Sequence, residues 1–375
     1  MRSSRITDVV VAGGGIIGLS IALELRQRGL SVVVLERAHA MRSASWAAGG
    51  MLAGRDPETP PALLPLALRS LELYPEYLDR IETLSGECVP LRTRRTLLQP
   101  TMRPGTDTEA ATAAEMQLWI PGLNEAARNF IWLDEDSLDP RDLCRALPTA
   151  FQAAGGSLLE DTAVLEIESR GTEIAVKASR ERGTGAQIPI HAGFFVNCCG
   201  AWAGQPLFGE IPVAPVKGQM VTVALDANRL RCVLRTPNFY AIPRGDGRVT
   251  VGATVEHAGF DQAVEEEQLT GILRTAAQML PEIELAPRLE SWAGLRPGTP
   301  DELPILGRAE ADRCWHAAGH YRNGILLAPA TARMMAQAIL GEPTDVPLQD
   351  FSPSRFRSWE NPSKSPQFAA SHSSR

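Results

Sequence analysis

The sequence predicts an α/β fold built on a Rossmann-like nucleotide-binding domain, and three stretches predict it. In "DVVVAGGGIIGLSIALELRQRGLSVVVLE", residues 8–36, an apolar strand, a glycine turn, a helix and a second strand follow one another. A second strand, glycine turn and helix stand near the C-terminus in "CWHAAGHYRNGILLAPATARMMAQAIL", residues 314–340. Between them "FYAIPRGDGRVTVGATV" alternates as a hairpin turning at Gly245 to Gly247, and "DQAVEEEQLTGILRTAAQML" reads as an amphipathic helix with an acidic first turn.

The first stretch carries the most chemistry. Residues 9–11 are β-branched, the helix over 17–27 brings Ile17, Ile21 and Leu25 to one face, Gly29 ends it, and 32–35 is the second strand. Gly13, Gly15 and Gly18 fall on the G-x-G-x-x-G positions, which serve a tight turn, close backbone approach to a pyrophosphate and helix–strand packing. Glu36 ends the second strand, where a carboxylate accepts from ribose hydroxyls and disfavours a 2′-phosphate, leaving FAD and NAD as candidates. "RSASWAAGGMLAG", residues 42–54, is so poor in bulk that it suits backbone running beside a large flat ligand. The second glycine turn adds a helix N-terminus able to face the negative charge of a reduced flavin, a feature with no evident purpose for NAD.

Bulk properties exclude other classes. The 375 residues, 44% hydrophobic, can bury more than one core, so two domains are expected. A formal charge of −7 argues against sequence-independent nucleic-acid binding, and Arg92, Arg94 and Arg95 in "LRTRRTLLQ" read as the exposed face and end of a strand. Six scattered cysteines suit neither a disulfide framework nor a metal site and point to a reducing cytoplasm. The apolar run over 9–25 is interrupted by glycines and falls short of the roughly 20 residues a membrane span needs, and no cleavable leader is evident. The Ser- and Pro-rich residues 346–375 read as a disordered tail.

Taken in order, "VVVAGGGIIGLSIALELRQRGLSVVVLE", "SWAAGGML", "PVKGQM", "YAIPRGDGRVTVGAT", "WAGLRPGTPDELPILG" and "AAGHYRNGILLAPAT" resemble the FAD-dependent D-amino-acid oxidase family, most closely its glycine oxidases of thiazole formation in thiamine biosynthesis. The resemblance covers about residues 6–345. It implies a discontinuous FAD domain over 1–84, 140–206 and 291–345, and an α+β substrate domain on a mixed or antiparallel sheet over 85–139 and 207–290. It implies non-covalent FAD held by Gly13, Gly15, Ile16, Ile17, Gly18, Glu36, Arg37, Ser43, Ser45, Ala48, Gly49, Gly50, Met51, Val164, Gly200, Trp202, His320, Tyr321, Arg322, Asn323, Gly324 and Ile325.

For the reaction, the resemblance implies that Arg296 of the "GLRP" loop anchors a substrate carboxylate, since a planar fork fixes distance and rotation together. Tyr240 would add a second hydrogen bond, and the Arg322 carbonyl would accept from the substrate amine. Met51, Val255 and Asn238 would line the pocket, with Val255 and Asn238 standing where relatives commonly have methionine and histidine. The implied reaction is oxidation of glycine, sarcosine, D-alanine or D-proline by hydride transfer from the α-carbon, with imine hydrolysis and hydrogen peroxide formed from molecular oxygen. It needs no side-chain base. The implied partners are a thiazole synthase and further copies of the chain. Rival readings are a dehydrogenase of D-amino or secondary amino acids with a non-oxygen acceptor, and a non-catalytic nucleotide-binding protein.

Overall fold

A computed structural model describes residues 5–101, 109–124, 129–180 and 185–357. The chain opens with β1 (Arg5–Ala12), α1 (Ile16–Gln27) and β2 (Val32–Leu35), the expected unit, with helix and second strand within a residue and the first strand starting four residues earlier. Next come α2 (Ala44–Ala47), α3 (Leu64–Ser85), β3 (Leu91–Thr93), β4 (Thr96–Leu98), α4 (Ala113–Trp119), β5 (Ile131–Leu133) and β6 (Ser137–Leu138). Asp139 caps α5 (Pro140–Ala153), and β7 (Ser157–Leu159), β8 (Thr162–Arg170), β9 (Glu173–Arg180) and β10 (Gln187–Asn197) follow. The rest comprises β11 (Ala214–Ala224), β12 (Val233–Arg235), β13 (Tyr240–Pro243), β14 (Arg248–Gly252), α6 (Glu266–Ala277), β15 (Arg288–Gly298), β16 (Ile305–Arg308), β17 (Cys314–Ala318) and α7 (Gly324–Leu340).

Among the described residues one sheet runs β16-β17-β10-β1-β2-β7, with the β8–β9 hairpin joined through β9 to β10. Its centre is parallel, which buries both faces. Val9 and Val11 therefore join the core under α1, α3, α5 and α7, while Val10 and Ala12 join a second core on the β8–β9 side. That is why β1 reads as an unbroken apolar run. The other large sheet runs β15-β11-β14-β13-β12-β4-β5, antiparallel except where β12 meets β4. Val221, Val223, Val249 and Val251 on one face pack against Leu269, Ile272 and Leu273 of α6. The alternate residues face the first sheet's side of the molecule.

Three expectations need correction. Arg296 lies not in a loop but within β15, whose whole length pairs with β11, so the boundary expected at 291 cuts through a strand of the second sheet. The Arg92–Arg95 cluster does mark the end of a strand, β3, with Arg94 and Arg95 just past it, but it is not simply an exposed face: Arg92 and Arg95 are half-buried and paired with Asp142 and Glu109. The tail begins later than expected: Val346 and Phe351 are buried in the helical core, and Arg355 binds Asp301, so residues 346–357 are folded. The segment looks Ser- and Pro-rich, but its few apolar side chains, Val346, Leu348, Phe351 and Phe356, dock it. The remainder of the expected tail, 358–375, lies outside the described residues.

Candidate active site

The glycine turn is built by contact rather than by flexibility alone. Gly13 has φ +105°, and a Cβ there would overlap the Cys198 carbonyl; one at Gly18 would overlap the Gly13 carbonyl. Gly15 differs, since a Cβ there would meet only the Ser45 hydroxyl at 3.4 Å, leaving the start of α1 open on that side. Ser45 accepts from the Ile16 N–H at 2.9 Å, and α1 has no side-chain cap of its own. Glu36 turns its two oxygens to the N–H groups of Gly14, at 2.8 Å, and Ala38, at 3.0 Å. It therefore braces the turn as well as offering its remaining lone pairs. Arg37 lies over the Trp202 ring at 3.7 Å, just past Gly200, and Val164 stands on β8, whose Thr162 N–H donates to the Glu36 carbonyl. The residues expected on the nucleotide side are thus gathered from β1, α1, β2, β8 and the end of β10.

Segment 43–51 links this turn to the second sheet. Ser43 stands at the start of α2 without a side-chain capping bond, Ala47 packs on Gly294, and the Trp292 indole donates to the Ala47 carbonyl at 3.2 Å. Ala48 follows in extended backbone, and the Tyr240 ring lies within 3.7 Å of a Cβ built on Gly49. Gly50 accepts from the Leu138 N–H, and Met51 pairs with Ser137. Arg244, only 4% exposed, donates to the carbonyls of both Gly49 and Leu138 at 3.0 Å. Sequence reading missed this arginine. Its signal was a charged residue at the hairpin end of an otherwise apolar alternation.

Tyr240 and Arg296 share the sheet face that meets segment 43–51. The Arg296 guanidinium lies flat over Gly218, where a Cβ would overlap it, and its Nη1 donates to the carbonyls of Thr254, at 3.0 Å, and Lys217, at 3.3 Å. The Tyr240 hydroxyl donates to the Met220 sulfur at 3.4 Å, a weak acceptor that leaves it available for a better one. Burial pushes this phenol up, while Arg296, by charge and hydrogen bond, and then Arg322 and Arg244 pull it back. Three guanidinium groups thus bear on one phenol. Among the described residues neither Arg296 nor Arg244 is in a salt bridge, while Arg322 feels the charge of Glu302.

The second glycine turn meets the same place from the other sheet. Tyr321, at φ +48°, donates its N–H to the Pro297 carbonyl next to Arg296. The Arg322 guanidinium reaches back to the Tyr321 hydroxyl at 3.2 Å. Asn323, Gly324 and Ile325 open α7, which has no side-chain cap, so its first N–H groups are available to a ligand. His320 is buried, contacts the Thr331 hydroxyl at 3.1 Å and is pushed down to about 3 by burial. It is a packed neutral ring, not a proton shuttle.

Two expected pocket residues sit apart from this cluster. Val255 is 45% exposed, beyond the end of β14, and Asn238 is exposed in the turn closed by Thr236 before β13. Both lie within two residues of a clustered group, Thr254 or Tyr240, without joining it. Sequence reading also passed over Lys217 and Gln219 in "PVKGQM", two polar residues in a strand otherwise built to be buried. Gly218 between them is what admits the guanidinium.

The open starts of α1 and α7, with the small-residue segment 43–51 running from the first glycine turn to the second sheet, fit a long phosphate-bearing flavin nucleotide better than a metal, and among the described residues no group of ligands could hold a metal ion. A family model described as FAD dependent oxidoreductase matches residues 8–338. The chain belongs to this FAD-dependent oxidoreductase family. This oxidoreductase is 32% identical to a glycine oxidase of Pseudomonas aeruginosa over 92% of its own length and 98% of the relative's. It is 34% identical to the bifunctional protein ThiO/ThiG of Trichormus variabilis, of which it spans 57%. The chain thus spans little more than half the length of its bifunctional relatives. The crystal structure of glycine oxidase from Geobacillus kaustophilus superposes with a TM-score of 0.86 at 31% identity, covering 94% of this chain and 99% of that one. No described helix is long and apolar enough to cross a membrane.

Proposed function

We propose that this FAD-dependent oxidoreductase oxidises glycine and other small amino acids, sarcosine, D-alanine and D-proline among them, to the imine. The observation that carries the reading is Arg296: a guanidinium held by two carbonyl oxygens and the neutral Tyr240 phenol, which itself has only a weak acceptor, has its charge left for a substrate carboxylate. Arg296 binds that carboxylate through its fork, and the Tyr240 hydroxyl turns from Met220 to donate to the same group. The Arg322 backbone carbonyl accepts from the substrate amine. FAD, when bound, supplies the two-electron acceptor for the α-carbon hydride. Gly13, Gly15, Ile16, Ile17 and Gly18 would hold its pyrophosphate, Glu36 and Arg37 its adenosine side together with Val164, Gly200 and Trp202, and the start of α7 its ring. No side chain is asked to remove a proton, which accords with His320, whose burial lowers it to about 3 and so makes it a weak base. Orientation and charge placement supply the catalysis.

The relatives named ThiO/ThiG join two units in one chain, and on that ground a thiazole synthase is the partner for the glycine imine. All six cysteines are free, four of them buried, which suits a reducing cytoplasm. The deciding experiment is anaerobic bleaching of the flavin by glycine, sarcosine, D-alanine and D-proline, followed by peroxide yield in air. A flavin that none of the four reduces overturns the substrate class; reduction without peroxide assigns another electron acceptor.

A further inference from the structure

Arg296 is held in place from behind the sheet. Lys217 is wholly buried, 0% exposed, and its Nζ lies 2.9 Å from Asp261, 3.0 Å from Glu265 and 3.6 Å from Glu256. These three carboxylates all belong to the segment between β14 and α6. Gln219, equally buried, donates to both oxygens of Glu256 and accepts from the Glu265 N–H at 2.7 Å. Its own N–H donates to the Thr254 hydroxyl at 2.8 Å, and that hydroxyl donates to Glu256. The Lys217 and Glu256 backbones complete the link by exchanging hydrogen bonds at 2.9 Å.

Side chains alternate along β11, so Lys217 and Gln219 point away from the face on which Gly218 carries the guanidinium. Their carbonyl and their captive segment nonetheless supply both acceptors of Arg296 Nη1: Lys217 from the strand, Thr254 from the segment that the ammonium clasps. We infer that Lys217 is a positioning residue for substrate-carboxylate binding, acting through the Thr254 and Lys217 carbonyls that orient Arg296. The inference rests on Arg296 as the carboxylate anchor. Its logic is geometric: a fork misplaced by an ångström loses its bidentate fit while its charge remains.

The test uses FAD-loaded enzyme and acetate, a carboxylate without the amine, with binding read from the flavin absorbance. Lys217→Met should weaken acetate about tenfold and raise the KM for glycine more than it lowers kcat, with FAD content unchanged. Because a buried lysine can be needed for folding, the paired variant Asp261→Asn with Glu265→Gln tests the same clasp from exposed positions. Charge alone makes the opposite forecast for that pair, since removing two negative groups near Arg296 would tighten acetate. Weaker acetate in the paired variant therefore supports positioning. Unchanged or tighter acetate, even with a lower unfolding temperature, overturns it. Arg296→Ala is run alongside: if it binds acetate as the wild type does, the anchor reading itself falls, whereas loss of acetate in Arg296→Ala alone refutes only the role of Lys217.

Discussion

A guanidinium whose partners are carbonyl oxygens and a neutral phenol is oriented but not neutralised, and that is the state in which the fold leaves Arg296. Arg296→Ala should therefore cost on the order of 2–5 kcal/mol of transition-state binding while FAD content stays at the wild-type level. Arg296→Lys should recover only part, because an ammonium cannot reproduce the planar fork. Anaerobic bleaching by glycine measures both, and a wild-type rate in the alanine variant would remove Arg296 from the site. At this scale the sequence was informative about residue types and poor about their partners. An arginine before a proline and a tyrosine in a hairpin can be read from one chain, but the carbonyls of Lys217 and Thr254 come from other strands and leave no local mark. Glu36 teaches the same lesson: its strand-end place was legible, its brace on the Gly14 N–H was not.

Secondary-structure elements were legible wherever a period was strong and both neighbours agreed with it. The β1-α1-β2 unit, the hairpin at Gly245 to Gly247, α6 and α7 all lie where apolar spacing and glycine stops put them. β15 was missed as a strand because Gly294, Pro297 and Gly298 look like breakers, yet each glycine faces a close neighbour and Pro297 faces Pro215 across β11. This crowding makes Gly218→Ala a sharp test of the element. A methyl there meets the far end of a flexible side chain, not backbone, so the strand can keep its register while the guanidinium moves aside. The variant should retain FAD and unfold within a few degrees of the wild type, yet raise the KM for glycine about tenfold or more. A normal KM would mean that Arg296 binds substrate from another rotamer and that Gly218 serves packing alone.

For the whole molecule, the division into two sheets was foreseeable from the order of motifs, but the ends of the core were not, because burial of Phe351 is a tertiary event in a polar segment. The same holds for buried titratable groups, whose consequence is a pH dependence that no motif announces. His316 is pushed down to about 4 by burial, and His320 to about 3, from an ordinary 6.5. The Asn197 amide, fixed by the Cys199 N–H and the Ala203 carbonyl, turns its NH₂ toward His316 Nδ1, so that nitrogen must stay an acceptor. Glu135 goes the other way, raised from 4.5 to about 7 by burial despite Arg235 at 3.4 Å. Between pH 4.5 and 6.5 each histidine holds a proton only when unfolded, and Glu135 only when folded. Two protons favour the unfolded chain and one the folded chain, so acidification through this window destabilises the fold by about 1.4 kcal/mol per pH unit from these three groups. Glu135→Gln removes the opposing proton and should steepen that loss to about 2.7 kcal/mol per pH unit, while making the protein more stable above pH 7, where the wild-type carboxylate is buried in charged form. Denaturant unfolding at half-unit steps from pH 4.5 to 8 measures both effects. If the variant and the wild type give parallel curves, Glu135 carries no proton in the folded molecule and its charge is neutralised by Arg235 at every pH in the range.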